Sequence, residues 1–170
     1  GVWLGTKDSG VNWSGIAQTN FEKYYTASGT SLEGCIVSGF CEESPTKVWV
    51  STEQAGFLLW NPVNATVERV KIPGIPRTVC SPCIDGNSLW FGSLSGVYKL
   101  DIKTLALKPY GGIMRDSGRK DQKVYLVYKT KKGDIYAGTT LGLSRYNREK
   151  DCFEDVKSID GVFVTSIAED

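Results

Sequence analysis

The residues of this sequence best suited to covalent or metal chemistry are five cysteines, Cys35, Cys41, Cys80, Cys83 and Cys152, and it contains no histidine to assist them. A thiol works as nucleophile or metal ligand in its thiolate form, which a nearby cation, imidazole or metal must favour. The C-S-P-C run at 80–83 has the spacing of one edge of a zinc site or of a redox pair. A structural zinc needs a second edge, which neither another C-x-x-C nor a histidine supplies. Cys35 and Cys41, six residues apart, lack ligand spacing. An odd cysteine count leaves at least one thiol unpaired or paired outside the chain. Buried structural thiols are therefore the expected state, a disulfide the second reading, and metal or redox chemistry the third. The missing imidazole also removes the commonest general base, and with it any Ser/His/Asp or Cys/His arrangement. The expectation is a non-catalytic chain with no metal and no cofactor.

Two further groups suit recognition. Asn12 and Trp13 put an amide beside a broad aromatic face. An exposed indole stacks on flat apolar ligand surfaces, whereas a buried one repacks the core locally. The stretch G-G-I-M-R-D-S-G-R-K-D-Q, 111–122, gathers Arg115, Arg119 and Lys120. Such cations hold an acidic ligand or a partner surface, or else stay solvated in a mobile loop.

What must position these residues is a repeat. V-W-L-G-T at 2–6 recurs as V-W-V-S-T at 48–52, L-W-F-G-S at 89–93 and I-Y-A-G-T at 135–139. Its aromatics, Trp3, Trp49, Trp90 and Tyr136, stand 46, 41 and 46 residues apart. Each copy is followed by a glycine and an apolar residue, Gly10-Val11, Gly56-Phe57, Gly96-Val97 and Gly142-Leu143. In three copies Asn61, Asp101 or Asn147 then opens a turn into another extended run. A further extended segment precedes each aromatic strand, so a period holds about four short strands, and no segment keeps a 3.6-residue apolar spacing. That is the arithmetic of β-propeller blades. The expected fold is all-β, four repeats of four antiparallel strands in a single domain, with an ordinary β-sandwich as the competing reading. The blades fall at about 1–30, 31–73, 74–112 and 120–158. Aromatics repeated once per blade read as framework. Trp13 departs from the repeat, standing where the other copies have Leu59, Lys99 and Arg145, and the long 111–122 segment departs from it too. These departures are the binding candidates.

Composition agrees with one globular domain: 170 residues, 41% hydrophobic and 23% charged. With 20 Lys and Arg against 19 Asp and Glu, the net charge of +1 offers no field for nucleic acid. No run approaches 18 apolar residues and no charged-then-apolar leader opens the chain, so no direct membrane insertion is expected of this segment.

The four copies resemble the two-component-regulator propeller repeat, a strand ending in Asp, a Gly turn, an l-W-i-G-T strand and a G-L-n-r-y-d strand. C-I-D-G-N-S-L-W-F-G-S, 83–93, is the fullest copy. The first copy departs, carrying Asn12-Trp13-Ser14 in its last element, and there are fewer copies than the family's usual seven. The resemblance implies the periplasmic sensor region of a hybrid two-component receptor of the kind found in gut Bacteroides. There, seven-bladed propellers precede a β-sandwich module, a membrane helix and a histidine kinase fused to a response regulator. It implies a non-catalytic segment that senses a glycan or oligosaccharide and signals to a kinase controlling polysaccharide-utilisation genes. The implied partners are that oligosaccharide and the other propeller and β-sandwich modules of the receptor, with a homodimer among the assemblies. Asn12, Trp13, Arg115, Arg119 and Lys120 are then the expected ligand contacts. Two other classes compete: a propeller lyase or hydrolase acting on a carbohydrate or lactone, and a protein-binding propeller scaffold. The first generally needs His or a metal-binding carboxylate cluster, and the second lacks its G-H and W-D signature here.

The segment 163–170, F-V-T-S-I-A-E-D, reads as an innermost strand, and 2–6 as a second strand with no innermost strand before it. Pairing of the two would close a four-bladed ring and remove exposed sheet edges. The alternative is a fragment of a larger, seven-bladed propeller.

Overall fold

Val, Ile, Trp, Phe and Thr crowd the short apolar runs, and Gly, Asn, Asp or Ser bounds them, so strands joined by tight turns are the favoured local structure. A computed structural model describes residues 2–5, 11–14, 22–24, 35–114, 118, 120–121 and 123–170, with 2–24, 114 and 120–121 described by backbone and register. Among the described residues every regular element is a strand. The first sheet holds β1 (Val2–Gly5), β2 (Val11–Ser14) and β3 (Glu22–Tyr24). The second holds β4 (Val37–Ser44), β5 (Lys47–Thr52), β6 (Phe57–Asn61) and β7 (Thr66–Arg69). The third holds β8 (Val79–Asp85), β9 (Ser88–Ser93), β10 (Gly96–Asp101) and β11 (Leu107–Gly111). A two-stranded ribbon follows, β12 (Ile113–Met114) and β13 (Lys120–Asp121). The fourth sheet holds β14 (Val124–Lys129), β15 (Ile135–Thr139), β16 (Gly142–Asn147) and β17 (Cys152–Asp160). All ladders are antiparallel between chain neighbours. The innermost strands β4, β8 and β14 pack in series, which makes the arrangement propeller-like.

The core lies between sheets. Leu89 and Phe91 on β9 join Trp49, Phe57 and Val79 in the cluster between the second and third sheets. Trp90, between them in sequence, joins Val124, Val127, Ile135 and Ala137 in the cluster between the third and fourth. The two faces of one strand thus serve two cores. This is why β9 reads as a continuous apolar run, since a strand buried on one face only would alternate.

In the second, third and fourth sheets the Thr or Ser closing the aromatic strand is buried and holds the next turn. Thr52 Oγ1 donates to Gly56 O at 2.9 Å, Ser93 Oγ to Gly96 O at 3.2 Å and Thr139 Oγ1 to Gly142 O at 3.0 Å. Each hydroxyl also accepts a backbone N–H from within its turn. The glycine it reaches has a φ of 71°, 125° or 139°, open to glycine at little cost. The turns after the third strands follow the Asx pattern, with Asn61, Asp101 and Asn147 Oδ1 accepting the backbone N–H of Val63, Lys103 and Glu149.

A second regularity joins neighbouring sheets. Val37, Val79 and Val124 open the innermost strands opposite Thr52, Ser93 and Thr139. The carbonyl of Val79 accepts a hydrogen bond from Ser38 on β4. The carbonyl of Val124 lies so close to Gly92 of the third sheet that a Cβ there would overlap it. Val164 repeats this contact on Gly138 of the fourth sheet, and its N–H donates to Thr139 O at 3.0 Å. The segment 163–170 therefore lies on the fourth sheet much as β14 lies on the third. It carries no strand of its own, and among the described residues no ladder joins it to β1. The described ladders thus do not form the pairing that would close a four-bladed ring.

Since Gly92 is where the backbone of one sheet meets the next, Gly92→Ala should cost about 1–3 kcal/mol of unfolding free energy through overpacking. Urea denaturation followed by tryptophan fluorescence measures it, and an unchanged midpoint would contradict the close approach.

Candidate functional site

The thiols come first, as the residues with the most reactive chemistry. All five are free. The C-S-P-C run is a β-bulge: the register of β8 against β9 shifts between Cys80 and Cys83, and Ser81 sits at φ 44°. Similar shifts occur between Val37 and Gly39 and between Val124 and Leu126, so the spacing belongs to the repeat. Cys80 Sγ donates to Val124 O at 3.1 Å, and Cys83 packs against the Trp90 cluster. Burial pushes both thiols up to about 12 and also raises that of Cys41. A thiol held protonated is neither nucleophile nor ligand at neutral pH.

The framework aromatics have different surroundings. Trp49 and Trp90 are buried and Tyr136 is half-buried. Trp49 Nε1 donates to Glu43 Oε2 at 2.7 Å. Trp90 is packed by rings, with Tyr146, Tyr110 and Phe153 centroids at 4.6, 5.2 and 6.0 Å, and by the Lys99 ammonium at 5.1 Å. Lys99 is the cross-strand partner of Trp90, as Leu59 is of Trp49 and Arg145 of Tyr136. Trp13 holds that same register position opposite Trp3, with Asn12 opposite Leu4. Both candidates thus lie within the β1–β2 ladder, and their side chains are outside the described residues. Arg115 and Arg119 also lie outside the described residues. Lys120 falls in β13, opposite Met114, so part of the long segment is a small hairpin. The structure places the Asn12-Trp13 pair and this hairpin on different sheets.

The hairpin leads through residue 123 into β14, whose second residue is Tyr125. Tyr125 is 36% exposed, and its ring lies 5.2 Å from that of Phe163, itself 51% exposed beside Val162 at 55%. Ser81 Oγ donates to Tyr125 O at 3.0 Å, which ties the base of this patch to the third sheet. Tyr125 at the start of β14 and Phe163 in the segment 163–170 form an exposed apolar platform. Sequence reasoning passed over them because both lie in strand-like runs with the composition of core. Their one signal was that neither position carries an aromatic in the second or third repeat, where Ser38 and Cys80 stand in the place of Tyr125.

Polar clusters line two other clefts. Asp134, Arg145, Asn147, Arg148 and Glu154 bound one of about 370 Å³ on the fourth sheet. Its guanidiniums are committed, Arg145 to Asp134 at 2.7 Å and Arg148 to Asp85 at 2.7 Å. Burial works to raise the Asp85 carboxyl, but hydrogen bonds from Arg148 and Lys129 outweigh it and hold it low. The other cleft lies where β11 meets the turn before β17. Asp151, at φ 52°, accepts hydrogen bonds from Lys108 Nζ, Tyr110 OH and Tyr146 OH, the two hydroxyls at 2.6 Å. These donors hold the Asp151 carboxyl far below the usual carboxylate range. Burial and the Asp151 acceptor raise both tyrosines. The arrangement is a polar clamp between the third and fourth sheets, with every group occupied in holding another.

Propeller-like stacks of antiparallel four-stranded sheets are the class of fold to which this chain belongs. It is similar to the extracellular domain of the hybrid two-component system BT3049 from Bacteroides thetaiotaomicron, with a TM-score of 0.73 and 18% identity over 93% of this chain. It is similar also to that of the hybrid two-component system BT4673 from the same organism, with a TM-score of 0.71 and 23% identity over 90% of this chain. The chain spans 22% and 19% of those two domains, about a fifth of each. No family model and no curated protein matches it. Among the described residues no helix is long and apolar enough to cross a membrane.

Two measurements check the electrostatics. In the folded chain Cys80 and Cys83 should react with a disulfide reagent at neutral pH far more slowly than in urea. Equal rates would mean their thiolates are available. Asp151 has a folded pKa below its unfolded value, so its contribution is full above about pH 4 and lost progressively as pH falls below that. Acid titration of Asp151→Asn should therefore show a shallower loss of stability than the parent chain, and identical curves would remove the clamp from the acid response.

Proposed function

We propose that this chain is a non-catalytic, periplasmic sensor segment of a hybrid two-component receptor that recognises an oligosaccharide. The observation that carries the reading is the fold shared over nine-tenths of the chain with extracellular domains of hybrid two-component systems. The absence of histidine and the protonated state of the buried thiols support a binding role, since the common nucleophile and base pairings need one or the other. In this proposal the Tyr125–Phe163 platform stacks on the apolar face of a sugar ring. Lys120, Arg115 and Arg119 of the adjoining segment hold its acidic or hydroxyl groups, and Asn12 and Trp13 supply a second contact from the first sheet. Other modules of the receptor complete the assembly, and the signal reaches a histidine kinase that controls polysaccharide-utilisation genes. Ligand binding signals only through a difference in affinity between two receptor arrangements. The joint between packed sheets is the element able to take two arrangements.

Calorimetry of the complete extracellular region against a panel of oligosaccharides tests the reading. One member should bind, and Phe163→Ala should weaken it on the order of tenfold through lost ring stacking. Trp13→Ala and Arg119→Ala report the other two contacts. A panel with no binder, or an affinity unchanged in all three variants, would overturn the assignment.

A further inference from the structure

The connection between the second and third sheets, 70–78, is pinned near both ends to the start of β6. Val70 N donates to Phe57 O and Gly56 N to Arg77 O, each at 3.2 Å. Between these ties Ile72-Pro73-Gly74-Ile75 makes a tight turn, with Ile75 N donating to Ile72 O at 3.3 Å and Gly74 at φ 75°. Proline followed by a residue of positive φ is what a type II turn requires. Ile72 is buried in the cluster around Phe57, Leu89 and Phe91, and Val70 and Ile75 pack on its margin. The core and the proline together hold this connection in one shape.

Beside the turn lies an open cleft of about 450 Å³. Ala55, Val70, Ile72, Pro73 and Ile75 supply its apolar lining, and Arg69 and Lys71, both exposed, supply its charge. In the clefts of the third and fourth sheets each cation meets an acid, Lys108 holding Asp151 and Arg145 holding Asp134. No acid lines this one, and neither Arg69 nor Lys71 has an ion-pair partner among the described residues. The apolar lining is aliphatic. A sugar ring seeks an aromatic face to stack on, whereas branched methyl groups pack an aliphatic side chain, and two unmatched cations complement carboxylates. A cleft whose wall is already fixed saves an incoming segment the cost of ordering it.

We propose that this cleft is a docking site for a protein segment that alternates aliphatic and acidic residues. A Leu, Ile or Val side chain enters against Pro73 and Ile75, and the Asp or Glu on either side of it pairs with Arg69 and Lys71. The cleft shares no residue with the Tyr125–Phe163 platform, so its occupation is independent of an oligosaccharide there.

Fluorescein-labelled hexapeptides that alternate Glu with Leu, Ile or Val, titrated with the chain and followed by fluorescence polarisation, should include binders. The same sets built on Lys or Gln in place of Glu should contain none. The double variant Arg69→Glu, Lys71→Glu should weaken the tightest Glu peptide on the order of tenfold and create binding to the Lys set. Its melting temperature should be unchanged, since both side chains are exposed and unpaired. Lys103→Glu, an equally exposed site on the β10–β11 turn, should leave the affinity as it was. The absence of any binder in the Glu set overturns the proposal, as does equal binding by the Gln set or an affinity that the double variant leaves intact. A uronic-acid oligosaccharide that displaces the peptide and binds more tightly overturns it in favour of an acidic sugar.

Discussion

The close seating of one innermost backbone on the preceding sheet is the contact on which the rest of the molecule depends. Val124 O over Gly92 leaves no room for a side chain, and Val164 sits tightly over Gly138. The serine at this point in the second sheet, Ser51, bonds its own neighbour, with Oγ donating to Gly39 O at 3.0 Å. With backbones this close, the flanking side chains of both sheets reach each other, and the inter-sheet clusters around Trp49 and Trp90 can be dry and dense. The Gly or Ser of the aromatic strand thus sets the spacing of the sheets and makes burial on both faces possible.

Polar groups hold the outer margins of the same joints. At one end of the joint between the third and fourth sheets, Lys129 and Arg148 converge on Asp85 at 3.1 and 2.7 Å. At the outer strands, Asp151 gathers Lys108, Tyr110 and Tyr146. Each exposed pair contributes little by itself. Together they fix the angle at which two sheets meet, which apolar packing alone, being non-directional, leaves loose.

Cysteine usage follows from the same architecture. Cys41, Cys80 and Cys83 stand on inner strands, Cys41 and Cys83 opposite the framework tryptophans. There a small side chain stands beside a large one, and a thiol is a small hydrophobe with a weak donor. The C-x-x-C spacing arises from a bulge that other repeats build without cysteine, so a metal-edge pattern has a geometric origin.

The sequence by itself determined the strand plan, because that plan rests on local chemistry. The aromatic strand with its terminal Thr or Ser, the Gly turn and the Asx turn are each satisfied within a few residues, so their spacing could be read without any tertiary contact. Position 13 was legible in the same way: it stands opposite the framework aromatic by register alone. Only the tertiary structure decided what lies between sheets. Whether Tyr125 and Phe163 are core or surface depends on what neighbouring strands cover, and both have strand composition in either case. That C-S-P-C is a bulge depends on the register of β8 against β9, and that 163–170 lies on the fourth sheet depends on its contact with Gly138, at a separation where local patterning carries no information.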